Sequence, residues 1–353
     1  MQFSALFRAK FRWIVFIEEI CYNESSKIAH KELILLRTHK FGNYDVSVLA
    51  LGTSEFGGTC PAEKGFEFMD AFVEMGGNFI DTARLYGDFA TPKNGESEKV
   101  IGRWMEQRHN RDQIFLSTKG AHPVLGQMHI GRLSREEIRS DIAGSLEDLR
   151  TDYVDVYWLH RDDVTRPVGD IMETMQSLIE DGSAKMIGVS NWTPKRILEA
   201  NAYAREHGLT EFTGNQPQFS LAQQMTVEDP TLTPMDAETY RMHLDTNMPC
   251  CCFSSQGKGF FTKFDVLGEG GLPDKAKRRF LYPNNIEVYE RMKVVREQTG
   301  LTIGAIALAW LTCQPFPTFA LCGASRLEQV LSLKDAANAV LTAEQRDYLR
   351  VIK

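Results

Sequence analysis

Short β-rich runs recur along the chain: SVLALGT (47–53), GNFID (77–81), IFLSTK (114–119), VDVYWLH (154–160), KMIGVSN (185–191), EFTGNQ (211–216), MPCCCFSS (248–255) and FALCG (319–323). Each has the length of a strand buried on both faces. Stretches with helical period lie between them. In SREEIRSDIAGSLEDLR, Ser134 and Glu137 make a capping box, and Ile138, Ile142, Leu146 and Leu149 fall on one face. Further helices are predicted after Pro61, Gly95, Val168, Pro194, Thr233, Asn284 and Arg326.

Strands alternating with helices predict a parallel sheet covered on both sides. Eight such units predict an α/β fold closed as a (β/α)8 TIM barrel, a single domain over residues 46–353. A doubly wound open sheet is the alternative, but no GxGxxG follows the first strand. Residues 1–45 then read as an N-terminal extension, with KELILLR (31–37) as a hairpin closing the barrel floor. The stretch 222–247, rich in Asp, Pro and Met, is long for a barrel loop and is expected to cover part of the mouth.

Composition narrows the function. With 353 residues, 43% hydrophobic and 25% charged, the chain has ample material for one large core. A net charge of -7 offers no general attraction to nucleic acid or to acidic membrane surfaces. The N-terminal WIVFI is too short for a signal peptide's apolar core and runs into Glu18 and Glu19, and no run reaches the ~20 apolar residues of a membrane helix. Seven cysteines without C-x-x-C spacing suggest reduced thiols and a cytoplasmic protein. Neither a heptad run nor a patch tells the oligomeric state.

In such a barrel the C-terminal strand ends carry the chemistry. Strand two ends in Asp81, with Tyr86 in the following loop; strand three ends in Lys119 and strand four in His160. Asp81 is expected to pair with Lys119, and an ammonium near Tyr86 would favour the phenolate, fitting that phenol to give up a proton. A metal-dependent hydrolase would want H-x-H on one strand, which none of the eight histidines forms. A Schiff-base lysine is disfavoured because Asp81 would keep Lys119 protonated.

From about residue 46 to its end the chain resembles an aldo-keto reductase. The matching motifs are LGTSEFGG (51–58), FIDTARLYG (79–87), GESEKVIGRWM (95–105), FLSTKG (115–120), VDVYWLH (154–160), IGVSNW (187–192), NQPQFSL (215–221) and GASRLEQ (323–329), in family order. The resemblance implies NADPH-dependent reduction of an aldehyde or ketone, with a catalytic tetrad of Asp81, Tyr86, Lys119 and His160 and Tyr86 as general acid. It puts Ser190, Asn191 and Gln216 on the nicotinamide carboxamide, Phe219 stacked on its ring, and Thr53 and Ser54 beside it. FSSQGKGFFTK would straddle the pyrophosphate through Ser254, Ser255, Gln256, Gly259 and Lys263. Gly323, Ser325, Arg326 and Gln329 would hold the adenosine end, with Ser325 and Arg326 on its 2′-phosphate.

No metal is implied. The small-molecule carbonyl substrate is expected to meet Phe56, Trp158 or Arg161, and Trp192. A redox-sensing NADPH-binding barrel with little turnover is the alternative function.

Overall fold

The computed structural model describes residues 36–87, 95–226 and 229–350. They belong to one compact unit, Leu36–Lys353. Most of the expected N-terminal extension, residues 1–35, lies outside the described residues.

Two short strands, β1 (Thr38–Phe41) and β2 (Tyr44–Ser47), form an antiparallel hairpin. It falls just after KELILLR, whose residues 31–35 lie outside the described residues. Eight parallel strands then close a barrel: β3 (Leu49–Gly52), β4 (Phe79–Asp81), β5 (Phe115–Gly120), β6 (Val154–Leu159), β7 (Ala184–Ser190), β8 (Asn215–Gln216), β9 (Cys250–Cys252) and β10 (Thr318–Gly323), with β10 pairing β3. All eight predicted strands are present, so the closed barrel is observed and the open sheet is not.

Inward positions alternate with outward ones along each strand. Ala50, Phe79, Phe115, Val156, Trp158, Cys251 and Phe319 fill the interior, with Phe41 of the hairpin among them. The Phe41 ring packs on Phe115, Trp158 and Phe319 at centroid distances of 5.2, 6.2 and 5.4 Å, so the hairpin supplies a plug of the packed interior. The outward residues, such as Leu49, Ile80, Leu116, Tyr157 and Ile187, join the larger core beneath the helices.

Helices follow where the caps and periods place them. The capping box at Ser134 and Glu137 opens the helix Arg135–Leu149, which buries Ile138, Ile142 and Leu149. The helix expected after Thr233 begins later, at Ala237, because Asp236 supplies the cap by accepting from the Thr239 N–H. Helices Phe260–Gly271, Asp274–Phe280 and Ile303–Thr312 were not predicted. Every residue of Ile303–Thr312 except Gly304 is buried, so that segment has no polar stripe to betray its period.

Candidate active site

Parity fixes what reaches the barrel mouth. Phe79 faces inward, so Asp81 does; Phe115 faces inward, so Ser117 and Lys119 do; Val156 and Trp158 lead to His160. Asp81 is 1% exposed and is met by three donors: Lys119 Nζ at 2.6 Å, Ser117 Oγ at 2.6 Å and Gln216 Nε2 at 3.0 Å. Lys119 is as deeply buried, and it also donates to Thr82 O at 2.6 Å. Burial disfavours its charge, but the Asp81 carboxylate foremost, and then Tyr86, more than offset this and raise its pKa.

Tyr86 stands on the far side of that ammonium. Lys119 Nζ lies 4.7 Å from the centre of its ring, and the two side chains share a hydrogen bond. The loop carrying Tyr86 is held at several points. Arg84 N–H donates to Lys119 O at 2.8 Å, and Ser97 N–H donates to Tyr86 O at 3.1 Å. The Arg84 guanidinium grips Asp148 and Glu98, and Glu98 accepts from Thr118 Oγ1 at 2.6 Å. Gly87 follows at φ 99°, where a Cβ would lie 2.4 Å from Phe56 O, so the position needs glycine.

His160 closes the corner. Its ring lies 5.9 Å from Tyr86 and 4.6 Å from His122, both edge-on. Burial, reinforced by His122, Arg161 and Lys119, holds its pKa well below that of ordinary histidine, so the ring is neutral at pH 7. His160 O accepts from Arg161 Nη1 at 2.8 Å and from Asn191 Nδ2 at 3.3 Å.

These groups open onto a cavity of about 730 Å³ that Tyr86, Lys119, His160, Ser190, Asn191, Gln216, Ser254 and Lys263 help to line. Ser190 Oγ donates to Gln216 O at 2.8 Å, and Asn191, at φ 61°, donates to Ser190 Oγ at 2.9 Å. The predicted carboxamide-binding trio is thus one hydrogen-bonded set beside Asp81. Thr53 lies behind it, fully buried, donating to Asp81 O at 3.0 Å. Ser54 O accepts from Gly87 N–H at 3.1 Å. Ser255 is turned inward, donating to Leu321 O at 2.7 Å.

The other end of the cavity is cationic, with Lys258, Lys263, Lys275 and Arg279 in its wall. The loop beneath them has positive φ at Ser254, Gly257, Lys258 and Gly259, and Gln256 O accepts from Gly259 N–H at 2.9 Å. Gly323, Ser325, Arg326 and Gln329 are exposed outside the lining residues, around the start of the helix Leu327–Leu331. There Gln329 Oε1 accepts from the backbone N–H groups of Ser325 (2.8 Å) and Arg326 (3.3 Å).

The predicted aromatic contacts Trp158, Phe56, Trp192 and Phe219 are not in the cavity lining. Trp158 faces into the barrel one layer below His160, where Gly188 and Gly214 leave room for its indole; a Cβ at Gly188 would stand 2.4 Å from it. Phe56 is buried against Phe68 at 6.3 Å. Trp192 is buried edge-on to Phe212 at 5.5 Å. Phe219 packs on Trp310 and Tyr240, at 5.2 and 6.4 Å, rather than over the cavity.

The aromatic face in the cavity comes instead from Phe253, which follows the inward-facing Cys251 by two positions. That spacing becomes readable only once Cys251 is known to face inward. The walls that sequence reading missed include Phe253, Leu85, His122, from the long insertion Gln224, Asp229 and Leu232, and from the segment after it Lys275, Arg279 and Phe280. Arg161, the expected alternative to Trp158, does reach the cavity, and its guanidinium bonds Thr231 Oγ1 at 2.9 Å and Asp229 at 3.2 Å.

Fold and site together define a class: a (β/α)8 barrel whose mouth gathers an aspartate, a tyrosine, a lysine and a histidine, the buried lysine paired with the buried aspartate. The chain matches the Aldo/keto reductase family over residues 48–353. It is 28% identical over 316 residues to norsolorinic acid reductase B of Aspergillus parasiticus, covering 85% of this chain and 79% of that protein. An aryl-alcohol dehydrogenase of Pestalotiopsis microspora is 31% identical over 316 residues, covering 85% of this chain and 77% of its own. An aldo-keto reductase of Emericella nidulans is 27% identical over 327 residues, covering 87% of this chain and 78% of its own. This chain therefore belongs to the aldo/keto reductase family and is an oxidoreductase of the carbonyl-reducing kind. Among the described residues, no helix is long and apolar enough to cross a membrane.

Proposed function

We propose that this protein reduces an aldehyde or ketone on an apolar or aromatic body, using NADPH, with Tyr86 as the proton donor. The observation that carries the reading is the Lys119 ammonium fixed between the Asp81 carboxylate and Tyr86 at the wall of a cavity. A cation beside the phenol stabilises the phenolate left when the proton goes to the substrate oxygen. Asp81 keeps Lys119 charged and in place. His160, neutral, has a buried Nδ1 without a partner among the described residues. A lone pair is less costly to leave unpaired there than an N–H, so the proton belongs on Nε2, a donor for the carbonyl oxygen.

The cavity fits an anionic dinucleotide. Ser190, Asn191 and Gln216 would hold the carboxamide and Phe253 would face the ring, whose contribution when bound is a hydride. Ser254, Ser255, Gln256, Gly259 and Lys263 would cradle the pyrophosphate. Thr53 and Ser54 back the nicotinamide end, while Gly323, Ser325, Arg326 and Gln329 would hold the adenosine. The bidentate fork of Arg326 suits a 2′-phosphate and favours NADPH over NADH. The names of two relatives, a norsolorinic acid reductase and an aryl-alcohol dehydrogenase, support an aromatic carbonyl as substrate. All six cysteines among the described residues are free, which supports a reducing compartment, the cytoplasm.

The test is cofactor oxidation by the purified protein against aromatic and aliphatic aldehydes and ketones, with NADPH and NADH in parallel. Turnover with NADPH, best on aromatic carbonyls, is expected. Cofactor binding without turnover across the panel would overturn the reading in favour of a regulatory barrel.

A further inference from the structure

His122 is three residues beyond Lys119 and belongs to none of the family motifs, yet it lines the cavity beside His160. Its Nδ1 is 2.7 Å from Pro123 O, which only accepts, so Nδ1 carries the ring proton and donates it there. Burial, with Arg161 adding to it, lowers its pKa to about 4, so at pH 7 the ring has no second proton. Its Nε2 has no protein partner among the described residues, and it is not among their buried unpartnered atoms. It is thus a fixed acceptor open to the cavity.

The neighbouring walls supply the opposite character. His160, with its ring centre 4.6 Å away, offers an N–H, and the Arg161 guanidinium beyond it is a cation already tied to Asp229 and Thr231. A substrate entering this corner therefore meets, beside Tyr86, the His160 N–H and, one ring away, an acceptor at His122 that can be satisfied only by a donor. Leu85 and Leu232 add apolar surface to the wall, beside Asp229 and Gln224.

We propose that His122 is a specificity-determining residue that selects carbonyl compounds bearing a neutral hydroxyl close to the carbonyl, accepting the hydroxyl hydrogen at Nε2 while His160 holds the carbonyl oxygen. This rests on the carbonyl-reductase reading above. A ring substituent that is oxygenated but has no hydrogen leaves the acceptor unpaired, and one ionised to an anion places two lone-pair bearers face to face. Both are disfavoured for the same reason.

The test uses benzaldehyde with the 2- and 3-hydroxy derivatives and their methoxy counterparts, which keep the oxygen and lack the hydrogen. At pH 7 the kcat/KM ratio of hydroxy to methoxy substrate, at the better ring position, is expected to be about tenfold for the wild type, the worth of one hydrogen bond to a buried acceptor. His122→Phe, which keeps a flat ring against His160, should bring that ratio close to one. His122→Gln, which restores an acceptor oxygen, should recover part of it.

A purely structural role for His122 would change all substrates alike and leave the ratio unmoved, which would overturn the proposal. The wild type alone supplies a second check, since its preference should fall as pH rises through the ionisation of the substrate hydroxyl; a preference that persists on the phenolate also overturns it. Equal turnover of hydroxy and methoxy compounds refutes this inference alone, whereas no turnover of any aldehyde refutes the carbonyl-reductase reading and this inference with it.

Discussion

The two ends of the cavity are built on different principles. At the Asp81–Lys119–Tyr86 corner the polar groups stand on strand ends or a clamped turn, buried or half-buried: Asp81 accepts from three donors, and Arg84 ties the Tyr86 loop to Glu98 and Asp148. At the cationic end Lys258 is exposed on a loop, Lys263 on the helix Phe260–Gly271 and Lys275 on the short helix Asp274–Phe280, with Lys263 Nζ donating to Lys258 O at 2.8 Å. The first arrangement suits proton transfer, which needs fixed geometry and a low dielectric. The second suits a highly charged ligand that flexible ammonium groups can follow. Substitutions should accordingly act on chemistry and stability at one end and on binding alone at the other.

Lys119→Met should give the largest effect. It leaves the Asp81 carboxylate buried without its cation, at a cost of about 3–5 kcal/mol in stability. It also removes the charge that stabilises the phenolate, lowering kcat by roughly 10²–10⁴-fold. Urea unfolding and steady-state kinetics on the same sample measure both. Loss of cofactor binding with normal stability would erase the contrast between the two ends.

The corner should also show itself in pH. An ordinary histidine takes up a proton near 6.5, whereas His122 does so only near 4. Between those values the unfolded chain binds the extra proton, so stability from this group is fully present above about pH 6.5 and is lost as pH falls toward 4. The span corresponds to roughly 3 kcal/mol, and His160 adds in the same direction. Denaturant unfolding from pH 7 to 4.5 should show this decline, shallower in His122→Phe. The rate profile should lack a limb near 6.5, because both histidines are already neutral there.

The smallest effect is expected at the far end. Arg326→Ala should weaken NADPH about tenfold, leave NADH nearly unchanged and not alter kcat. Titration of the two cofactors by fluorescence would show it, and equal loss for both would remove Arg326 from the 2′-phosphate.

The same contrast explains what could be read in the sequence. Asp81, Lys119 and His160 stand out because a polar residue ending an apolar run is conspicuous, and the eight runs fixed the barrel. Facing was harder to read. Strands such as VDVYWL are buried at every position, so their hydropathy alone does not say that Trp158 packs inside the barrel while Tyr157 faces the helices. The same uniformity hid Phe253 behind Phe219. Parity counted from Asp81, Lys119 and His160 down their own strands shows which residues face inward, but MPCCCFSS has no ionisable anchor from which to count. The hairpin shifted beyond KELILLR because THKF and YDVS are too short and mixed to register as strands, and the Phe41 plug appears only when the barrel is closed around it.

The account turns on Tyr86, and the most direct measurement is single-turnover oxidation of bound NADPH by an aromatic aldehyde in wild type and Tyr86→Phe, with NADPH affinity determined on both. The account predicts that the variant binds NADPH within about twofold of wild type and oxidises it roughly 10³-fold more slowly, since only the proton donor is gone. Hydride transfer at the wild-type rate in Tyr86→Phe would contradict it and send the proton to another group in the cavity.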